Sequence, residues 1–136
     1  MEQGYLYVAN NIFPTLLAIS EAEQSQGLMY VKPPVPIMSF IYAAPKYNTF
    51  WMKNTPSPLD IMFCCNGEVT QICKGEPFST SIIGDFRKQS DLIVEFPFGT
   101  IDNTGIQLGH KVGLVSPSAA QLKRIIAEKC AGIVKI

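Results

Sequence analysis

The sequence predicts a mainly β domain, α+β at the margin, built as a compact open barrel or sandwich with a short helix near residue 21 and another helix at the C-terminus. Three observations carry that expectation. Short runs rich in Val, Ile, Phe and Tyr recur along the chain, bounded by Gly, Pro or Asn. Asn66-Gly67, between two such runs, is the strongest short hairpin signature. Helical signatures occur in two places, one short and one terminal. With 136 residues, 47% of them hydrophobic and 16% charged, the chain carries enough apolar material for one core and too little charge for disorder. The expected organisation is a single domain over residues 1–136, with 116–136 as a helical extension.

Taken in order, Tyr5 to Val8 reads as a strand, Asn10-Asn11 as a turn, and residues 12–19 as a second strand. Ser20 then offers an N-cap, and Glu23, three residues later, completes a capping box. Gly27 ends that helix early. The Lys32-Pro33-Pro34-Val35-Pro36 segment runs extended, because each proline fixes its own φ and disfavours helix in its predecessor. Residues 37–43 and 49–52 have strand composition. Asn54 to Pro58 is a proline-stiffened loop, and Leu59 to Cys65 resumes as a strand that turns back through Asn66-Gly67 onto Glu68 to Cys73. Residues 76–87 read as a surface excursion, residues 92–96 as a strand and residues 105–115 as the last major strand. Ser116 or Ser118 caps the terminal helix, whose apolar stripe is Ala119, Leu122, Ile125, Ile126 and Cys130, with Gly132 as its stop.

The two-residue turn sets a hairpin register. Cys65 faces Glu68, Cys64 faces Val69, Phe63 faces Thr70, and Cys73 lies opposite Asp60. Cys64 and Cys73 are then ~13 Å apart along the ladder, beyond the roughly 7 Å Cα limit of a disulfide. Reduced structural thiols are the reading, with pairing of Cys130 left open. The cysteine spacing and the single His110 give no metal-ligand pattern. No cofactor is implied.

Several classes of partner are unfavoured. Eleven basic side chains cancel eleven acidic ones, so the long-range field that draws proteins to nucleic acid or anionic lipid is missing. The N-terminus opens on an acid, and its nearest apolar run is short and interrupted by Pro14, unlike a secretory signal. No run has the length needed to span a bilayer. Localisation is left open.

The stretch from Phe50 to Phe63, FWMKNTPSPLDIMF, is the densest in chemistry-bearing side chains. Together with Gly27-Leu28-Met29, Gly67-Glu68-Val69, residues 92–96 followed by Gly99-Thr100, and residues 105–109 with Val112, it resembles the DUF192 family, also called UPF0127. The resemblance spans roughly residues 16–115. It implies a small β-rich domain, often secreted or periplasmic, with no established activity. The chain departs from the family pattern at Gln24, where the family usually has Arg, at His110, where it usually has Asp, and at Cys64-Cys65, where an apolar residue and Asp are common.

The candidate ligand-binding residues are Trp51, Lys53, Asn54, Thr55 and Asp60. Trp51 reads first as a core anchor and second as a stacking platform for a sugar or other flat group. Lys53 either grips a polar ligand or snorkels. Asn54, Thr55 and Asp60 either brace the loop through backbone hydrogen bonds or floor a pocket in which Asp60 orients Lys53. Glu95 and His110 are weaker candidates, read first as structural or solvated. Three functions follow: a non-catalytic binding or accessory domain for a small polar ligand, carbohydrate among them; an enzyme in which Lys53 and Asp60, with His110, handle protons; and a structural or assembly protein that self-associates through the C-terminal helix.

Overall fold

In the computed structural model, which describes residues 1–115, the chain alternates short strands with tight turns. The strands are β1 (Glu2–Val8), β2 (Asn11–Ala18), β3 (Met38–Tyr47), β4 (Leu59–Cys65), β5 (Glu68–Gly75), β6 (Gln89–Pro97) and β7 (Val112–Val115). The helices are α1 (Glu21–Gln26) and α2 (Thr100–Thr104). All seven strands form one sheet in the order β5-β4-β6-β3-β2-β1-β7. Neighbours are antiparallel except β2 and β3, which run parallel because α1 and the proline segment carry the chain across. The sheet curls into a half-barrel, so the open barrel is realised and the two-sheet sandwich is not. Its two edges approach each other where Glu68 of β5 bridges Lys111, just before β7.

The local chemistry explains most boundaries. The β1–β2 hairpin turns through Ala9 and Asn10, both at positive φ, one residue earlier than the sequence suggests. Ser20 Oγ accepts from the Glu23 amide and Glu23 Oε1 accepts from the Ser20 amide, each at 3.1 Å, which is the expected capping box. Gly27, at φ 50°, closes α1. β4 occupies its predicted bounds and is buried on both faces. Its two sets of side chains enter two apolar clusters. Met62 and Cys64 pack with Leu6, Val94, Phe96 and Ile101, whereas Ile61 and Phe63 pack with Leu28, Phe40, Met52 and Ile93. The period-2 geometry of a strand puts Glu95 on the same face of β6 as Ile93.

Four expectations need correction. The β4–β5 register holds at Cys65↔Glu68 and Cys64↔Val69 but then slips by one, so Phe63 faces Gln71, Ile61 faces Cys73 and Asp60 faces Lys74. Thr70 is the extra residue, and its hydroxyl donates to the Phe63 carbonyl at 3.1 Å, satisfying an acceptor the bulge removes from the ladder. Residues 49–52 alternate inward and outward like a strand but make only one bridge, Phe50↔Ile83. Of residues 105–115 only Val112–Val115 is strand. Helix α2 has no counterpart in the sequence reading. The C-terminal helix, its proposed self-association and Cys130 lie outside the described residues. Cys64, Cys65 and Cys73 are free thiols. No described helix is long and apolar enough to cross a membrane.

Candidate functional site

The FWMKNTPSPLDIMF stretch is anchored by alternate side chains. Phe50 packs edge-on against Phe40 (ring centroids 4.9 Å apart) and Phe63 (6.0 Å). Met52 is fully buried against Gly75, where a Cβ would come within 2.5 Å of its sulfur. Trp51, between them, consequently faces outward. Trp51 is 48% exposed, so the core-anchor reading does not hold. The Lys53 ammonium lies over the Trp51 ring at 5.2 Å, a cation–π contact that occupies one of its faces.

The turn that follows is fixed by its backbone. The Thr55 amide donates to the Met52 carbonyl at 3.1 Å, and Asn54 sits at φ 56°, a conformation Asn tolerates better than most residues. The Asn54 carbonyl accepts from the Tyr30 amide, and the Thr55 carbonyl accepts from the Phe78 amide. Thr55 is buried and its hydroxyl donates to the Lys53 carbonyl at 3.1 Å. Ser57 does the same for the Val31 carbonyl. Thr55 therefore braces the loop through its side chain, whereas Asn54 contributes its backbone carbonyl and its positive φ.

Asp60 does not orient Lys53. The Thr70 bulge sets Lys74 opposite it, and Lys74 Nζ lies 2.8 Å from Asp60 Oδ1. The other carboxylate oxygen accepts from the amides of Gly99 (3.0 Å) and Ile101 (2.9 Å). Asp60, with 0% exposure, thereby caps α2 across the fold, at a helix start where Gly99 has no side chain to offer. The hydrogen bond to Asp60 raises the Lys74 pKa, with neighbouring Asp102 adding to the effect. His110 is remote in role: its Nδ1 accepts from the Gln107 amide in the turn before β7.

The residue that sequence reasoning underrated is Glu95. It is 5% exposed, and its Oε1 has no hydrogen-bond partner among the described residues. Burial pushes its pKa up to about 8. This carboxyl lines a cleft of about 180 Å³ whose walls include Gln24 and Gly27 from the end of α1, the aromatic residues Phe40, Phe50 and Trp51, and Thr55. A Cβ on Gly27 would lie 3.6 Å from Glu95 Oε1 and 3.3 Å from the Phe40 ring, so glycine lets the backbone close over the acid. Gln24, one of the departures from the family pattern, is held by its side-chain amide to the carbonyls of Ala18 (3.0 Å) and Ile41 (2.9 Å). Of the five residues singled out in sequence, Trp51 and Thr55 line this cleft. The sequence clue to Glu95 was an acid inside an uninterrupted apolar strand, LIVEF. Among the described residues, no group of three His, Cys, Asp or Glu side chains could hold a metal.

The DUF192 family model, described as an uncharacterised ACR, matches residues 8–114, most of the chain. The chain belongs to the DUF192 family. Solved structures agree with that placement. A protein of Sinorhizobium meliloti 1021, provisionally described as a transcription regulator, is 28% identical with a TM-score of 0.75 over 85% of this chain and 95% of its own. A protein of unknown function from Novosphingobium aromaticivorans DSM 12444 is 27% identical with a TM-score of 0.71, covering 82% and 83%. No curated protein matches. The DUF192 fold thus comes with relatives whose descriptions name no ligand and no reaction.

Proposed function

We propose that this DUF192 protein is a non-catalytic binding or accessory domain that takes a small polar ligand in the cleft between α1 and Trp51. The observation that carries the reading is Glu95 on the cleft wall, a buried carboxyl whose Oε1 has no hydrogen-bond partner among the described residues. A buried polar atom without a partner costs roughly 1–3 kcal/mol, and a ligand that pairs with it recovers that cost. Aromatic rings supply the apolar remainder of the cleft, with Trp51 offering a ring edge or its open face to a sugar or similar scaffold. The volume is below the roughly 300–1,000 Å³ usual for drug-sized ligands, so a small molecule or the end of a larger one fits. Thr55 contributes to the wall, Asn54 and Lys53 shape the rim through the turn and the Trp51 contact, and Asp60 supports the site from the opposite face of β4.

Catalysis by Lys53, Asp60 and His110 would need all three at one reacting atom. Asp60 is saturated by Lys74, Gly99 and Ile101, and Glu95 is the one titratable side chain among the described residues lining the cleft. Both facts favour binding over turnover. The test uses Trp51, the only tryptophan of the chain, as a fluorescence reporter, alongside amide NMR shifts, in a screen of monosaccharides and small polar fragments. Perturbations centred on Gly27, Trp51 and Glu95, and lost in the occluding variant Thr49→Phe, are expected. Hits that map elsewhere, or persist in Thr49→Phe, would overturn the assignment of the cleft.

A further inference from the structure

We propose that the group seated against Glu95 is a protonated amine, so that the ligand is a small organic cation or a larger molecule ending in one. This deepens the preceding reading and rests on it. Three independent features of the cleft favour positive charge. Glu95 is one of its lining residues, a buried carboxyl whose Oε1 has no partner among the described residues, and none of the described residues lining the cleft is a Lys, Arg or His that would compete for it. Its walls include the rings of Phe40, Phe50 and Trp51, whose faces attract ammonium groups. The protein already uses Trp51 in that way, holding the Lys53 ammonium over the ring. Finally, the residues Gln24, Ser25, Gln26 and Gly27 bring the C-terminal end of α1 to the cleft, and its last turn carries no basic side chain. Helix carbonyls concentrate partial negative charge at that end.

The charged and titratable groups around Glu95 leave it free to respond. From β3, Tyr42 interacts with it electrostatically, and burial and the Glu95 charge together push that phenol up to about 12, so Tyr42 stays neutral at working pH. On α1, Glu23 is committed to the Ser20 and Ile19 amides. From β4, the residue paired with Glu95 is the apolar Ile61, and from β3 it is Met38. Lys53 is engaged with Trp51 at the rim. Without ligand the acid holds its proton below about pH 8. On binding, the O–H bond of Glu95 breaks, the proton leaves to solvent or buffer, and the carboxylate pairs with the incoming ammonium. Binding is thereby coupled to release of up to one proton, nearly a whole one at pH 6 and about half of one at pH 8.

This coupling has a sign. With a free-state pKa of about 8, the fraction of ionised Glu95 grows with pH, and the affinity for an ammonium rises about 50-fold from pH 6 to pH 8. A ligand that accepts a hydrogen bond from the neutral acid behaves oppositely. The experiment titrates methylamine, cyclohexylamine, cyclohexanol and cyclohexanecarboxylate into the full chain at pH 6, 7 and 8, reading Trp51 fluorescence and calorimetric heats in buffers of different ionisation enthalpy. Simple amines of this kind stay protonated throughout, with pKa values near the ~10.4 of lysine. The expected result is amine binding that tightens with pH, releases a proton to the buffer, and disappears both in Glu95→Gln and in Thr49→Phe, the latter leaving the acid untouched. Equal binding of cyclohexanol and cyclohexylamine, or carboxylate binding that weakens as pH rises, would overturn the amine while leaving the cleft as a binding site. If none of the four probes binds while sugars or neutral fragments still map to the cleft, the amine alone fails. If nothing maps there, both readings fail.

Discussion

Replacing Asp60 by alanine removes one buried carboxylate and strands three donors at once. Two are the backbone amides of Gly99 and Ile101, at 3.0 and 2.9 Å from Oδ2. Hydrogen bonds to a charged acceptor contribute about 1.5–3 kcal/mol each, so this pair accounts for roughly 3–6 kcal/mol before relaxation. The third is the Lys74 ammonium, but that side chain is 42% exposed and regains water when its partner is lost, adding about 0–1 kcal/mol. Helix α2 begins at this carboxylate with no local cap, so its first turn has no fallback and will fray, which limits the net loss to about 3–5 kcal/mol. Asp60→Asn keeps an acceptor for the amides but sets an amide NH₂ against the ammonium, and is expected to cost roughly half as much. Lys74→Met should cost under about 1 kcal/mol. Urea denaturation with matched m-values measures all three, and amide exchange of Ile101 reports on the first turn of α2. A loss below about 1 kcal/mol in Asp60→Ala, with α2 still protected, would refute the view that this aspartate is the keystone between β4 and α2.

Other outcomes follow from the same geometry. Glu95 keeps its proton in the folded chain up to about pH 8, whereas its ordinary value is 4.5. Folding stability should therefore fall as pH rises through that window, by up to about 1.4 kcal/mol per pH unit, and Glu95→Gln should flatten the slope; denaturation midpoints at successive pH values check this. Gly84→Ala places a Cβ 2.8 Å from the Phe63 ring at a residue with φ 102° and should cost about 2–4 kcal/mol in chemical denaturation. Trp51→Phe, at an exposed site whose contact with Lys53 is worth about 0.5–1 kcal/mol, should change thermal stability little while weakening any ligand seated in the cleft, as NMR titration would show.

Local sequence chemistry was readable where the partners are close in the chain. Ser20 and Glu23 cap α1 three residues apart, and Asn66-Gly67 builds the β4–β5 turn. The misses share a different cause. Thr70 looks like any strand residue, and its bulge exists because its hydroxyl replaces a ladder bond, which composition does not reveal. That single extra residue decides whether Asp60 meets Cys73 or Lys74. Helix α2 escaped notice because its capping side chain comes from Asp60, 39 residues before Gly99. The size of Trp51 favours an inward position, yet the neighbours Phe50 and Met52 take the inward positions and alternation forces it outward. Glu95 was visible as an acid in an apolar run. Whether it had a partner depends on what α1 and the Phe50 loop place over it, and that is a property of the assembled fold.

The bridge between Glu68 and Lys111 bears on how the protein behaves in a crowded solution. An uncovered border strand presents free amides and carbonyls that recruit the same strand from another molecule. Here the Val69 amide and carbonyl are taken by His110 and Gly109, the Gly67 carbonyl is taken by Val112, and an ion pair between Lys111 and Glu68 sits beside them. The half-barrel thus seals the start of β5 with its own chain, so recruitment of a second molecule along that border would first have to pry the segment before β7 away.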